Sequence, residues 1–232
     1  WSKRKERADI FGDLASRSQR AGCILASDMS AQLSAAGRRA VPLGRPVATS
    51  HADIERVAFR LFAEHGFEGT TLEAIAREVG VGRRTLFRYF ESKNDIPWGQ
   101  FDQTLARFGA ILDSMPPELP IADAVHLGVC EFNKFAPDAD PPHIQRMRLV
   151  LETPALQAHS VLRYAAWRKV VADYVARRLD LEPDDPFPAL IGHLSLSLSL
   201  AAYDEWLKDP ASSLTELLTN QLQMLRDYLA MP

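Results

Sequence analysis

The chain has 232 residues, 47% of them hydrophobic, and a formal net charge of −3. That length supports one large or two small domains with a substantial core. The near-neutral balance excludes a chain that is basic throughout, so any surface for nucleic acid has to be a local one. Residues 1–47 are polar and mixed, and are expected to be a disordered tail. The chain begins at Trp1, and Met29 is a candidate translation start. Ile10, Phe11 and Leu14 suggest a short helical turn. Arg38, Arg39 and Arg45 make a basic arm of the kind that enters a minor groove, with an ordinary solvated tail as the alternative.

Ser50 followed by Asp53 is a near capping box. Ile54, Val57, Ala58, Leu61 and Phe62 follow on one helical face, Gly66 ends the helix, and Phe67 is placed to fill a small core. The stretch Thr70–Lys93, TTLEAIAREVGVGRRTLFRYFESK, then reads as two short helices joined by a glycine turn. Thr70 with Glu73 makes a second capping box. Leu72, Ile75, Ala76 and Val79 bury one face, Gly80 stops the helix, and Val81 plugs the core beneath the turn. A second helix opens near Gly82, with Leu86 and Phe90 inward and Arg83, Arg84, Thr85, Arg88 and Tyr89 largely on other faces. Arginines in a first turn oppose the helix dipole. They belong there if they serve guanine edges or phosphates. A solvated charged face is the simpler reading of the arginines alone; two helices around a tight turn favour the groove. From Arg77 to Lys93, five basic residues face two acidic ones, Glu78 and Glu91.

Beyond Lys93 a long helix is expected from Asn94 or Asp95 to about Ser114, with Ile96, Phe101, Leu105, Phe108 and Leu112 as its apolar side. Met115–Pro120 is a proline break. Further helices are expected at about Ile121–Phe135, Pro142–Glu152, Pro154–Leu179, Asp185–Lys208 and Pro210–Leu229. In the last, Asp209 would act as cap with Pro210 in the first turn. The run His193–Leu200 alternates Leu and Ser, which by period alone suggests a strand. It is assigned to helix because no second strand pattern exists to pair with it. Leu214, Leu218, Leu222, Leu225 and Leu229 form an apolar stripe on the final helix.

Trp98, Phe101, Phe108, Phe132, Met147 and Trp167 enrich the body in aromatic and soft side chains, as either a core or a ligand cavity. The longest apolar run, Leu190–Ala202, is too short to span a bilayer and is interrupted by His193 and serines. No secretory signal is evident. Cys23 and Cys130 lack motif spacing, which argues against a disulfide framework or zinc site and fits a reducing cytoplasm. No catalytic signature appears, so an enzyme is not expected and no cofactor is implied. Asp138, Asp140 and His143 share a proline-rich loop, and an ordinary acidic loop explains them better than a metal site.

The string TTLEAIAREVGVGRRTLFRYFESKND resembles the DNA-binding signature of the TetR family of bacterial transcriptional regulators. The likeness is strong over about residues 48–95 and looser to residue 232. It implies an all-α fold with a three-helix DNA-binding head at residues 48–94. A helical effector-binding and dimerisation body would occupy residues 95–232. Thr71 would contact phosphate. Arg83, Arg84, Thr85 and Arg88 would face base edges, and Tyr89 and Lys93 would hold the DNA backbone. Gly82 stands where the family often has a serine cap, and Phe87 where it often has tyrosine. Partners implied are double-stranded operator DNA, a second copy of the chain packed through the last two helices, and a small effector. RRTLFRYFESKNDIPWGQFD and PALQAHSVLRYAAWR further resemble regulators of mycofactocin gene clusters, which implies a fatty acyl-CoA effector. His143, Arg146 and Arg148 would then meet its anionic end, unless ion pairs with Glu152 account for them. The function implied is a repressor relieved by its ligand. The alternative is a helical interaction module, or a small-molecule binder without specific DNA binding.

Overall fold

A computed structural model describes residues 49–136, 138–182 and 184–231 of the chain. The expectations for residues 1–47, including the turn at Ile10–Leu14 and the basic arm, lie outside the described residues. Every regular element among the described residues is helical, in agreement with the expected all-α class.

Three helices make the head: α1 (His51–Gly69), α2 (Leu72–Val79) and α3 (Arg83–Leu86). The Ser50–Asp53 box forms as expected. The Ser50 hydroxyl accepts from the Asp53 N–H at 3.1 Å, and the Asp53 carboxylate accepts from the Ser50 N–H at 3.1 Å. Gly66 sits at φ 74°, where the chain kinks and sends Phe67 into the core. The second cap falls one residue later than expected. Thr71, not Thr70, accepts from the Ala74 N–H at 3.1 Å. Thr70 is buried, and its hydroxyl serves the preceding helix, on the carbonyls of Gly66 at 2.8 Å and Leu61 at 3.1 Å. The tandem threonines thus satisfy two different helix ends. Gly80 adopts φ 79°, and the Val81 N–H closes back on the Ala76 carbonyl at 2.9 Å. After α3 the chain continues in tight turns that keep Leu86 and Phe90 buried beside Ile54, Ile75 and Phe62. Each such fully buried side chain contributes roughly 1.5–3 kcal/mol. Ile96 and Leu156 complete this core from beyond residue 94, the expected edge of the head.

The single long helix expected from Asn94 or Asp95 is two elements. A 3-10 helix covers Lys93–Trp98, and α4 covers Phe101–Asp113. Pro97 lacks an N–H for a continuous α ladder, and Gly99 turns the chain at φ 58° between the two. The rest of the body is α5 (Ile121–Phe132), α6 (His143–Glu152), α7 (Pro154–Leu179), α8 (Pro186–Lys208) and α9 (Leu214–Leu229). α5 ends three residues before the expected Phe135, where the Asn133 amide donates to the Val129 carbonyl at 2.8 Å. Asp209–Pro210 does not open α9. The Asp209 carboxylate instead accepts from the Ala211 N–H at 3.3 Å in a turn, and Ser213 caps the helix. The Leu–Ser alternation lies inside α8, where the Ser199 hydroxyl is satisfied by the Ser195 carbonyl of the same helix. Small residues there let α8 approach α7 closely. A Cβ added at Gly192 would stand 2.7 Å from the Arg168 carbonyl oxygen. Phe108, Leu112, Val125, Trp167, Val171, Ala202 and Leu218 centre the body's core. Among the described residues, no helix is long and apolar enough to cross a membrane.

Candidate nucleic-acid interface and internal cavity

Gly82 gives α3 no side-chain cap, and no acid occupies the first turn. Arg83, Arg84, Phe87 and Arg88 are exposed, and Thr85 is half-buried among them. Arg84, Thr85, Phe87 and Arg88 share one shallow depression. The Arg83 guanidinium stands 5.3 Å over the Phe87 ring and 3.1 Å from the Glu73 carboxylate, while that of Arg88 stands 5.5 Å over Tyr89. Among the described residues, Arg84 and Arg88 have no carboxylate partner. The Tyr89 ring orders Arg88, and Arg84 and Arg88 are exposed with guanidinium N–H groups that no carboxylate among the described residues takes, as a reader of acceptor-rich base edges requires. The Thr71 hydroxyl, at the start of α2, is engaged as its cap. The Tyr89 hydroxyl donates to the Thr49 carbonyl at 2.5 Å.

Lys93, expected to hold the DNA backbone, is engaged within the head. Its ammonium donates to the Phe67 carbonyl at 2.7 Å and the Thr70 carbonyl at 3.0 Å, and sits 4.3 Å over the Phe67 ring. The kink at Gly66 frees carbonyls at the end of α1, and a cation there complements them. The side chain is only 20% exposed. Lys93→Met is therefore expected to lower folding stability by about 1–2 kcal/mol. It should leave the salt dependence of DNA binding unaltered. Urea unfolding and a salt titration check this; a phosphate-holding lysine would instead reduce the salt slope by about one.

A cavity of about 560 Å³ lies between the 3-10 helix and α4, α6, α7 and α8. Trp98, Phe101, Phe132, His143, Arg146, Met147 and Trp167 line it. Phe108, expected with them, does not. It is fully buried behind the wall, 5.0 Å from the Trp167 ring and 4.5 Å from that of Phe132. Arg146 reaches across to the head. Its guanidinium donates to the Glu55 carboxylate of α1 at 2.5 Å and to the Pro97 carbonyl at 2.7 Å. Arg148 faces elsewhere, toward Glu152 at 3.8 Å and the Leu207 carbonyl at 3.3 Å, so it is set apart from the cavity.

His143 stacks on Phe135 and lies 2.8 Å from the Tyr203 hydroxyl, which itself donates to the Asn133 amide oxygen at 2.5 Å. Since that hydroxyl proton is committed to Asn133, the contact with His143 requires an Nε2–H donor. Burial, reinforced by the nearby Arg146, pushes the His143 pKa down to about 3, so the ring is neutral at physiological pH. The cluster is therefore polar but uncharged, and burial pushes the Tyr203 phenol up. Among the described residues, no group of three His, Cys, Asp or Glu could hold a metal ion.

Asp95, in the 3-10 helix, accepts from Arg163 at 2.7 Å and lies 2.9 Å from the His159 ring, both of α7. Burial pushes its carboxyl up, but hydrogen bonds from Ser92, Arg163 and His159 outweigh burial and hold it below the usual range. Sequence reasoning missed Glu55, Asn133, Arg163 and Tyr203, all of which line the cavity. Glu55 carried a usable signal, as an acid on the same helical face as Phe59 and Phe62. Tyr203, beside Ala201 and Ala202, carried none.

Residues 54–96 match bacterial regulatory proteins of the tetR family, and residues 119–230 match the MftR C-terminal domain. Over 176 residues, 76% of this chain and 89% of the other, the sequence is 43% identical to a Mycobacterium tuberculosis protein named as a mycofactocin biosynthesis transcriptional regulator, MftR. The chain belongs to the TetR family. It is a DNA-binding transcriptional regulator and not an enzyme. It is also 29% identical over 189 residues to the HTH-type regulator TcmR of Streptomyces glaucescens, across 76% of this chain and 84% of that one. Among solved TetR-like structures, the fatty acid degradation regulator FadR of Bacillus halodurans superposes with a TM-score of 0.53 at 19% identity, covering 76% of this chain and 97% of that one. FadR of Thermus thermophilus, in complex with lauroyl-CoA, superposes with a TM-score of 0.51 at 20% identity, covering 76% and 93%. At these identities the two structures support the fold.

Proposed function

We propose that this TetR-family regulator is a homodimeric repressor whose operator binding is relieved by an aliphatic effector, an acyl-CoA being the leading candidate. The observation that carries this reading is the contact between Arg146, in the cavity wall, and Glu55, in α1 of the head. A molecule entering the cavity meets a residue that holds the head in place. The volume of about 560 Å³ suits a ligand of moderate size in a largely apolar, half-open cleft. The name of the Thermus FadR complex supplies a precedent for an acyl-CoA in this fold. Phe187, Leu190 and Leu194 on α8, with Met224 and Tyr228 on α9, are exposed apolar side chains at helical spacing. They favour a second copy packed against the last two helices. In a dimer the effector would act by shifting the two heads away from the spacing of successive major grooves, roughly 34–36 Å.

Binding to DNA upstream of the protein's own gene, followed by fluorescence anisotropy against scrambled DNA with and without lauroyl-CoA, tests the reading. Specific binding lost with lauroyl-CoA is expected; specific binding indifferent to it would discard that effector. On the operator, Arg84→Ala and Arg88→Ala are each expected to cost about 1–2 kcal/mol at particular base positions and to relax specificity there. Variants that bind every sequence like the parent would remove these two arginines from the groove.

A further inference from the structure

One apolar side chain stands on a surface otherwise rich in cations. Leu86 and Phe90 enter the head's core, and Phe87, between them in the chain, does not. Phe87 is 39% exposed, and among the described residues it is the only large apolar side chain of the head that is exposed. A single apolar side chain on a surface is ordinary. The surroundings of this one are not. Phe87 shares its shallow depression with Arg84, Thr85 and Arg88, three of the residues expected to face base edges. The Arg83 guanidinium, 3.1 Å from the Glu73 carboxylate, stands 5.3 Å over the ring and steadies it there.

A phenyl ring does little for a phosphate. Phosphate oxygens are held by cations and by N–H or O–H donors, and phenylalanine has none of these. A tyrosine at this position would bring a hydroxyl for the DNA backbone; phenylalanine brings only its hydrocarbon. In the major groove the base pairs present donors, acceptors and one kind of apolar group, the C5-methyl of thymine. That methyl is the group on the base edges that the Phe87 ring complements.

We infer that Phe87 is a specificity-determining residue of the operator contact, packing its ring on the C5-methyl of a thymine beside the bases that Arg84 and Arg88 read. This rests on the reading of α3 as the element that enters the major groove. The arginines then select acceptor-rich edges, and the ring between them selects thymine.

A methyl-deletion cycle on DNA selected by the full chain from a random-sequence pool tests the inference. Deoxyuridine in place of one thymine at a time removes the C5-methyl and keeps every hydrogen-bonding group of the base. With the parent protein, the substitution at one thymine of a half-site is expected to weaken binding about fourfold, the loss of one buried methyl. Phe87→Ala is expected to bind the unmodified DNA at least about fourfold more weakly and to be indifferent to deoxyuridine at that thymine. Thr85→Ser removes the other methyl of the depression and should keep the parent's sensitivity. Circular dichroism verifies that both variants are folded. A parent indifferent to deoxyuridine at every thymine of the selected DNA overturns the inference, whatever the folding of the variants. So does a Phe87→Ala protein that keeps the parent's sensitivity at each position. A pool that yields no preferred sequence overturns the groove reading of α3 itself, and the inference with it.

Discussion

Arg146→Ala is expected to lose about 3 kcal/mol of folding stability, the largest effect of any single substitution considered. The Arg146 side chain is 22% exposed and that of its Glu55 partner 11%, so both are largely out of water. Truncating one partner leaves the other buried and unpaired, and also strips the Pro97 carbonyl of its donor. Partial exposure places the loss at the lower end of the range for such pairs, about 3–5 kcal/mol. Removing both charges at once is different. Arg146→Met combined with Glu55→Gln retains volume and leaves no orphaned charge, so it should recover most of the loss. Urea unfolding of the parent, the single variant and the double variant gives the comparison. A single variant with the parent's midpoint and slope would show that this contact does not hold the head to the body.

The second large effect concerns two glycines with opposite expected signs. In a helix interior, alanine is favoured over glycine by about 1 kcal/mol from backbone freedom alone. At Gly109, in α4, a new Cβ would meet only the Val170 side chain, at an ordinary 3.9 Å. Gly109→Ala should therefore stabilise by about 0.5–1 kcal/mol. At Gly192 the same methyl would stand 2.7 Å from the Arg168 carbonyl oxygen, a backbone atom that cannot swing aside. Relieving that contact pushes α8 away from α7, at a cost of about 2–3 kcal/mol. This outweighs the propensity gain and leaves Gly192→Ala about 1–2 kcal/mol less stable than the parent. Thermal melts of the two variants side by side should move in opposite directions. Two upward shifts would mean the helices separate freely.

Much of the architecture was legible because it follows from local rules. Ser50 with Asp53, the left-handed Gly80 and the Leu86–Phe90 pair are determined by residues close in sequence, and each appears as expected. The Leu–Ser run misled by period alone; its assignment to helix needed the observation that a strand would have no partner. Errors arose where side chains served the neighbouring element. Thr70 looked like the cap of α2 but satisfies the end of α1, and the Lys93 ammonium also reaches back to the Phe67 carbonyl there. Asp209–Pro210 had the grammar of a helix start, yet Ser213 took that role. Hydrophobic and aromatic residues drew attention to the cavity wall, although Phe108 shows that composition does not tell wall from core. Glu55 belongs to α1 and Tyr203 to α8, more than a hundred residues apart in the chain. Their meeting at one cavity is a property of tertiary packing that no short window contains.

The 3-10 helix Lys93–Trp98 places Lys93 on the carbonyls of α1, Ile96 in the head's core and Trp98 in the cavity wall, within six residues. A segment this short cannot reposition one end without moving the other. Any free energy that couples occupancy of the cavity to occupancy of the operator acts equally in both directions. If a ligand weakens operator binding by some factor, operator DNA must weaken the ligand by the same factor. The concentration at which the effector is sensed would then depend on how many copies of the regulator are already seated on DNA.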